Sequence, residues 1–155
     1  MPLTIWIDAD ALPSVLKDYI LKMSRMREVP VVFVSNKMIK LPEHPLYEAV
    51  EVAQGADVAD AYIVSHADAG DLAVTQDVPL ADLLVSRAVK VINLKGELLS
   101  PSNMKSRLAV RDFMTDLRNA GIATKGPKPF DDKQKQQFMN GFDKALTQCL
   151  KETKH

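Results

Sequence analysis

Ile5-Trp6-Ile7-Asp8-Ala9-Asp10-Ala11-Leu12-Pro13 decides the fold: an apolar run of strand character ends abruptly in two acids, and a proline suited to a first helical turn follows. Open α/β sheets place their ligands at the carboxyl ends of such strands. Side chains two apart on a strand share a face, so Asp8 and Asp10 converge if the extended conformation lasts through both. Two carboxylates held close repel each other, and a divalent cation is the usual remedy. The plainer reading of Asp10 is an N-cap for a helix opening at Leu12 or Pro13.

Outward from this stretch, apolar runs alternate with helical patterns, the signature of βαβ units and a mostly parallel sheet. Strands are expected near Leu3 to Asp8, Val31 to Ser35, Ala49 to Ala53, Leu72 to Thr75 and Val89 to Leu94. Helices are expected near Pro13 to Arg27, Val58 to Ala69 and Leu80 to Arg87. The first two strands carry Val, Ile and Phe with little alternation, as where both sheet faces are covered. Gly55, Gly70 and Gly96 punctuate the turns.

After Gly96 the character changes to helix. Over Ser102 to Ala120, Val110, Phe113, Met114 and Leu117 repeat as a buried stripe. Arg107, Arg111 and Arg118 fall within roughly 40° of one another on another face of that helix. Gly126-Pro127-Lys128-Pro129 interrupts, Asp131 or Asp132 caps the next helix, and Phe138, Phe142, Ala145, Leu146 and Cys149 repeat at helical spacing. Cys149 reads as a core residue rather than a nucleophile.

With 155 residues the chain suits one domain, 1–155, with an α/β core over about 1–100 and a helical part over about 101–155. Twenty basic and twenty acidic residues cancel, so any contact with nucleic acid is a local patch. A single cysteine excludes an intramolecular disulfide and fits a reducing compartment. With no membrane-length apolar run and no signal-like start, a cytoplasmic protein is expected.

Two further acidic clusters follow. In Gly55-Ala56-Asp57-Val58-Ala59-Asp60, Asp57 and Asp60 are helical neighbours at the mouth of the third strand. Helix-terminal chemistry accounts for Asp57 as a cap, and less well for Asp60. In Leu72-Ala73-Val74-Thr75-Gln76-Asp77 a short strand ends in an acid, repeating the topology of Asp8. Asp8, Asp10, Asp57, Asp60 and Asp77 are therefore candidate ligands of a hard-oxygen site suited to Mg²⁺ or Mn²⁺. His44, His66 and His155 have no ligand spacing and read as surface residues.

Together with Arg111-Asp112-Phe113-Met114, these acidic segments resemble the YaiI/YqxD family of uncharacterised bacterial proteins, nearly throughout the chain and in order. That family is grouped with PIN-like domains, the fold of many metal-dependent ribonucleases. The resemblance implies a three-layer α/β domain and, position by position, matches Asp8 to the acid ending the first PIN strand. Asp60-Ala61-Tyr62-Ile63 and Val74-Thr75-Gln76-Asp77 look like the later PIN motifs. Glu43 and Glu48 lie where the fourth PIN acid belongs but stand in no clear motif, and Asp10 or Asp57 is a substitute. The family's cysteine before Pro13 is Leu12 here, and its glycine pair before Pro127 reads Lys125-Gly126.

The leading functional expectation is a divalent-metal phosphodiesterase acting on nucleic acid, RNA before DNA, with Asp8, Asp60 and Asp77 catalytic. Arg107, Arg111 and Arg118 would hold flanking phosphates, or form only a solvated helix face. A second reading is a haloacid-dehalogenase-type phosphatase. For it, Asp8 and Asp10 supply nucleophile and acid, and Val32-Phe33-Val34-Ser35 resembles the second motif. A third is a non-catalytic, metal-dependent clamp for nucleic acid or nucleotide.

Overall fold

The structure, a computed structural model, describes residues 3–10, 12–55, 58–99 and 131–153. In chain order the elements are β1 (Ile5–Asp8), α1 (Ser14–Arg27), β2 (Val31–Ser35), β3 (Tyr47–Glu51), α2 (Val58–His66) and β4 (Leu72–Val74). There follow α3 (Val78–Ser86), β5 (Lys90–Ile92), β6 (Leu98–Leu99) and α4 (Asp132–Thr153). One sheet runs β3-β2-β1-β4-β5-β6, parallel from β3 to β5, with β6 antiparallel at the edge. No helix among the described residues is long and apolar enough to cross a membrane.

β1 lies between β2 and β4, with Ile7 opposite Phe33 on one side and Val74 on the other. The two-residue strand period sends alternate side chains into different cores. Ile5, Ile7, Val31, Phe33, Leu72 and Val74 bury against α1 and α4, whereas Trp6, Val32, Val34 and Ala73 bury against α2 and α3. The result is the expected three-layer α/β domain. Both faces of β1 and β2 are covered, which is why their sequences read as continuous apolar runs.

α4 confirms the reading of its stripe, since Phe138, Phe142, Ala145, Leu146 and Cys149 are all buried. Its aromatics meet Tyr19 edge-on, at centroid distances of 6.3 and 5.8 Å. Tyr19 also donates through its hydroxyl to the Met139 carbonyl at 3.1 Å. Burial pushes the Cys149 thiol up to about 11, consistent with a packing role. Gly96, in the turn between β5 and β6 at φ +77°, lies directly against Gly141 of α4, and a Cβ on either would strike the other segment's backbone.

Some boundaries differ from the sequence reading. β3 begins two residues early at Tyr47, on the edge of the sheet, where its mixed exposure blurs any alternation. α3 starts at Val78 because Asp77 caps it and Pro79 fits its first turn. α2 stops at His66 rather than Ala69, because the backbone of Asp68 turns to bond the Asp71 carboxylate. β6 was not anticipated, since two leucines carry no strand period. The expected helix over Ser102 to Ala120 and the linker over Gly126 to Pro129 lie outside the described residues.

Asp71 enters β4 buried, at the edge opposite the strand-end acids. Its carboxylate accepts from Thr4 N at 3.1 Å, Trp6 Nε1 at 2.9 Å and Asp68 N at 2.9 Å. Three donors compensate the burial of this charge and stitch the start of β4 to β1.

Candidate functional site

At the C-terminal edge of the sheet, Asp8, Asp10, Asp60 and Asp77 line one cavity of about 330 Å³, together with Asn36, Gly55 and Ala59. Among the described residues, no basic side chain lines it. The cavity sits where the chain changes face: α1 covers one side after β1, and α2 covers the other before β4. This is the crevice in which open α/β sheets seat ligands.

Each acid arrives by a different local device. Asp8 closes β1 with its side chain on the α2/α3 face, and Ala9 still donates to the Val34 carbonyl at 3.0 Å, which prolongs the strand. That extension brings Asp10 to the cavity beside Asp8, as the spacing of two predicts. Asp10 does not cap α1. Pro13 holds the cap position without a side-chain bond, and Asp10 Oδ1 accepts from Ser35 Oγ at 2.5 Å and from Asn36 N at 3.1 Å. Asp60 comes from the first turn of α2 and Asp77 from the cap of α3, where its Oδ1 accepts from Leu80 N at 2.9 Å.

Two hydroxyls repeat one motif across β1. Thr75, just past β4, donates to Asp8 Oδ2 at 2.8 Å and accepts from Asp77 N at 3.0 Å. Ser35, ending β2, donates to Asp10 and accepts from Lys37 N at 3.0 Å. Sequence reasoning assigned neither hydroxyl this role. The available signal was a hydroxyl residue ending an apolar strand two residues ahead of a turn, which holds for both.

Burial raises the Asp8 carboxyl above its ordinary value; the Thr75 bond lowers it, and the charges of Asp10 and Asp77 raise it further. Asp8, Asp10 and Asp77 each commit one oxygen to a protein donor, and their other oxygens take none among the described residues. The donor set is therefore all carboxylate and suited to a hard cation. As placed, the side chains ring the cavity rather than close on a point: among the described residues, no group of three or more His, Cys, Asp or Glu is arranged to hold an ion.

The remaining predicted residues fall elsewhere. Asp57, Arg107, Arg111, Arg118 and His155 lie outside the described residues. His44 is half-buried, packs on Tyr47 with ring centroids 4.7 Å apart, and accepts from Leu46 N at 3.1 Å. His66 is exposed and stacks on Tyr62 at 3.9 Å.

Residues 6–148 match the family model described as "Uncharacterized BCR, YaiI/YqxD family". The chain is 44% identical over 147 residues to a UPF0178 protein of Syntrophobacter fumaroxidans, covering 95% of this chain and 96% of that one. Over 142 residues it is 43% identical to a UPF0178 protein of Dechloromonas aromatica, at 92% and 95% coverage. A UPF0178 protein of Myxococcus xanthus is 44% identical over 147 residues, at 95% and 96% coverage. No solved structure matches the chain significantly. The match to the family model, together with relatives similar along almost their whole length, means that this chain belongs to the YaiI/YqxD family.

Proposed function

We propose that this protein is a divalent-metal-dependent nuclease that cleaves phosphodiester bonds in RNA or other nucleic acid. The observation that carries the reading is the gathering of Asp8, Asp10, Asp60 and Asp77, from three separate segments, around one cavity at the switch point of the sheet. A purely structural origin accounts for Asp77 as a cap. It does not account for the burial of Asp8 beside two further acids, where desolvation first, and the charges of Asp10 and Asp77 after it, raise its carboxyl.

Asp8, Asp60 and Asp77 would hold the ion, with Asp10 at the flank. A bound Mg²⁺ or Mn²⁺ supplies charge neutralisation at the phosphate and a more acidic water. The protein's own contribution is positional. Thr75 fixes the Asp8 carboxylate, Ser35 and the Asn36 amide fix Asp10, and the α3 backbone fixes Asp77, so these acids are held before substrate arrives. Among the described residues, the cavity offers no side-chain nucleophile other than carboxylates, which suits attack by water. Arg107, Arg111 and Arg118 are the proposed contacts to flanking phosphates.

The test is turnover of labelled single-stranded RNA and DNA by the purified chain, with Mg²⁺ or Mn²⁺ and in EDTA. Cleavage that needs the metal and is lost in Asp8→Asn supports the reading. Absence of cleavage under every metal condition, by a folded protein, overturns it.

A further inference from the structure

We propose that a second cavity, on the α1 face of the same sheet edge, seats the neighbouring nucleotide of a single strand whose scissile phosphate lies in the acidic cavity. This rests on the nucleic-acid reading of the acidic cavity and adds to it a requirement for at least one more nucleotide. The second cavity, of about 270 Å³, is bounded by Ala9, Leu12, Ser14, Lys17, Phe33, Met38, Ile39 and Lys40.

Strand alternation places Ala9 and Phe33 on this face, and the loops that follow β1 and β2 supply the rest. The end of β1 supplies Asp8 and Asp10 to the acidic cavity and Ala9 and Leu12 to the second one. The loop after β2 does the same, giving Asn36 to the acidic cavity and Met38, Ile39 and Lys40 to the second. The two cavities are thus lined from the same two stretches of chain, residues 8–12 and 36–40.

Their chemistry is opposite. Among the described residues, the second cavity has no acidic side chain and carries two lysines from different elements, neither in an ion pair with a described residue. Beside them stands Met38, 75% exposed and the most exposed large hydrophobic among the described residues. Cations beside an unfilled apolar surface suit a ligand that is anionic on one side and flat and apolar on the other, as a nucleotide within a strand is. Exposed apolar side chains also serve protein partners. The charge favours a polyanion here, because an acidic and a basic cavity set side by side match a chain that must be gripped at one phosphate and have charge neutralised at the next.

The experiment is binding of a fluorescent single-stranded oligonucleotide to the full chain in EDTA, where no chemistry occurs, across a salt series. Lys17→Gln with Lys40→Gln is compared with wild type and with Met38→Ala. Two lost phosphate contacts flatten the salt dependence, so between 50 and 200 mM salt the wild type should lose about sevenfold more affinity than the double variant. Met38→Ala should weaken binding without changing the salt slope. Equal affinity and slope in wild type and the lysine variant, or no oligonucleotide binding by wild type, overturns the proposal. The nuclease reading is judged separately: binding without cleavage leaves this site standing and removes the enzyme, while cleavage untouched by the lysine changes does the reverse.

Discussion

Thr75 Oγ1 bonds Asp8 Oδ2 at 2.8 Å while accepting from the amide of Asp77 at 3.0 Å, so one hydroxyl sets the carboxylate of one acid and the backbone of another. Its single proton is committed to Asp8. Thr75→Val should raise the Asp8 carboxyl pKa further and cost about 1–3 kcal/mol of stability at neutral pH. An NMR titration of the Asp8 carboxyl and a urea melt read the two effects, and Thr75→Ser should restore both. An unchanged Asp8 titration in the valine variant would refute the coupling.

Asp8 should make stability depend on pH in an unusual direction. Its folded pKa lies above the ordinary carboxylate value, so the folded state holds the proton more tightly than the unfolded chain. Its contribution therefore favours folding at low pH and is lost as pH rises through the folded pKa. In EDTA at neutral pH, Asp8→Asn should melt higher than wild type, with the advantage fading below the ordinary carboxylate range. Millimolar Mg²⁺ or Mn²⁺ should raise the wild-type melting temperature and leave the variant nearly unmoved. Identical melting of the two proteins in EDTA at both pH values would contradict the raised pKa.

Asp77 permits a cleaner separation of stability from chemistry. Asparagine caps helices about as well as aspartate, so Asp77→Asn keeps the bond to Leu80 N while removing a charge from the cavity. RNA hydrolysis should fall by orders of magnitude with the melting temperature held. If hydrolysis persists near the wild-type rate, Asp77 is a cap and no more.

Asp71 makes the opposite case, a carboxylate whose work is structural. Asn in its place presents an amide N–H₂ to at least one of the three donors it now satisfies. Asp71→Asn should cost about 2–3 kcal/mol in a urea melt. Metal response per folded molecule should stay as in wild type.

The sequence made the parallel core and the placing of Asp8 and Asp77 legible because those features are local: apolar strands buried on both faces and acids at their ends. Asp8 and Asp10 sharing a cavity followed from strand periodicity alone. The roles of Thr75 and Ser35 were not legible, since each depends on a partner 67 or 25 residues away in the chain. The lysine-lined cavity was hidden for the same reason: Lys17 and Lys40 sit on different elements and meet only when the sheet is assembled. β6 escaped notice because its pairing with β5 is created by the turn at Gly96, not by any pattern in its own two residues.

The α1 side of the sheet is completed late in synthesis. Among the described residues, the core against α2 and α3 draws on positions between Trp6 and Leu99, whereas the core against α1 needs Phe138, Phe142, Leu146 and Cys149. Chains fold as they emerge, so the α1 side of the sheet waits, its apolar strands not yet fully covered, for α4. A nascent chain halted before residue 138 therefore lacks that cover, and the hydrophobic surface it leaves open on the α1 side is the one a holding chaperone would find.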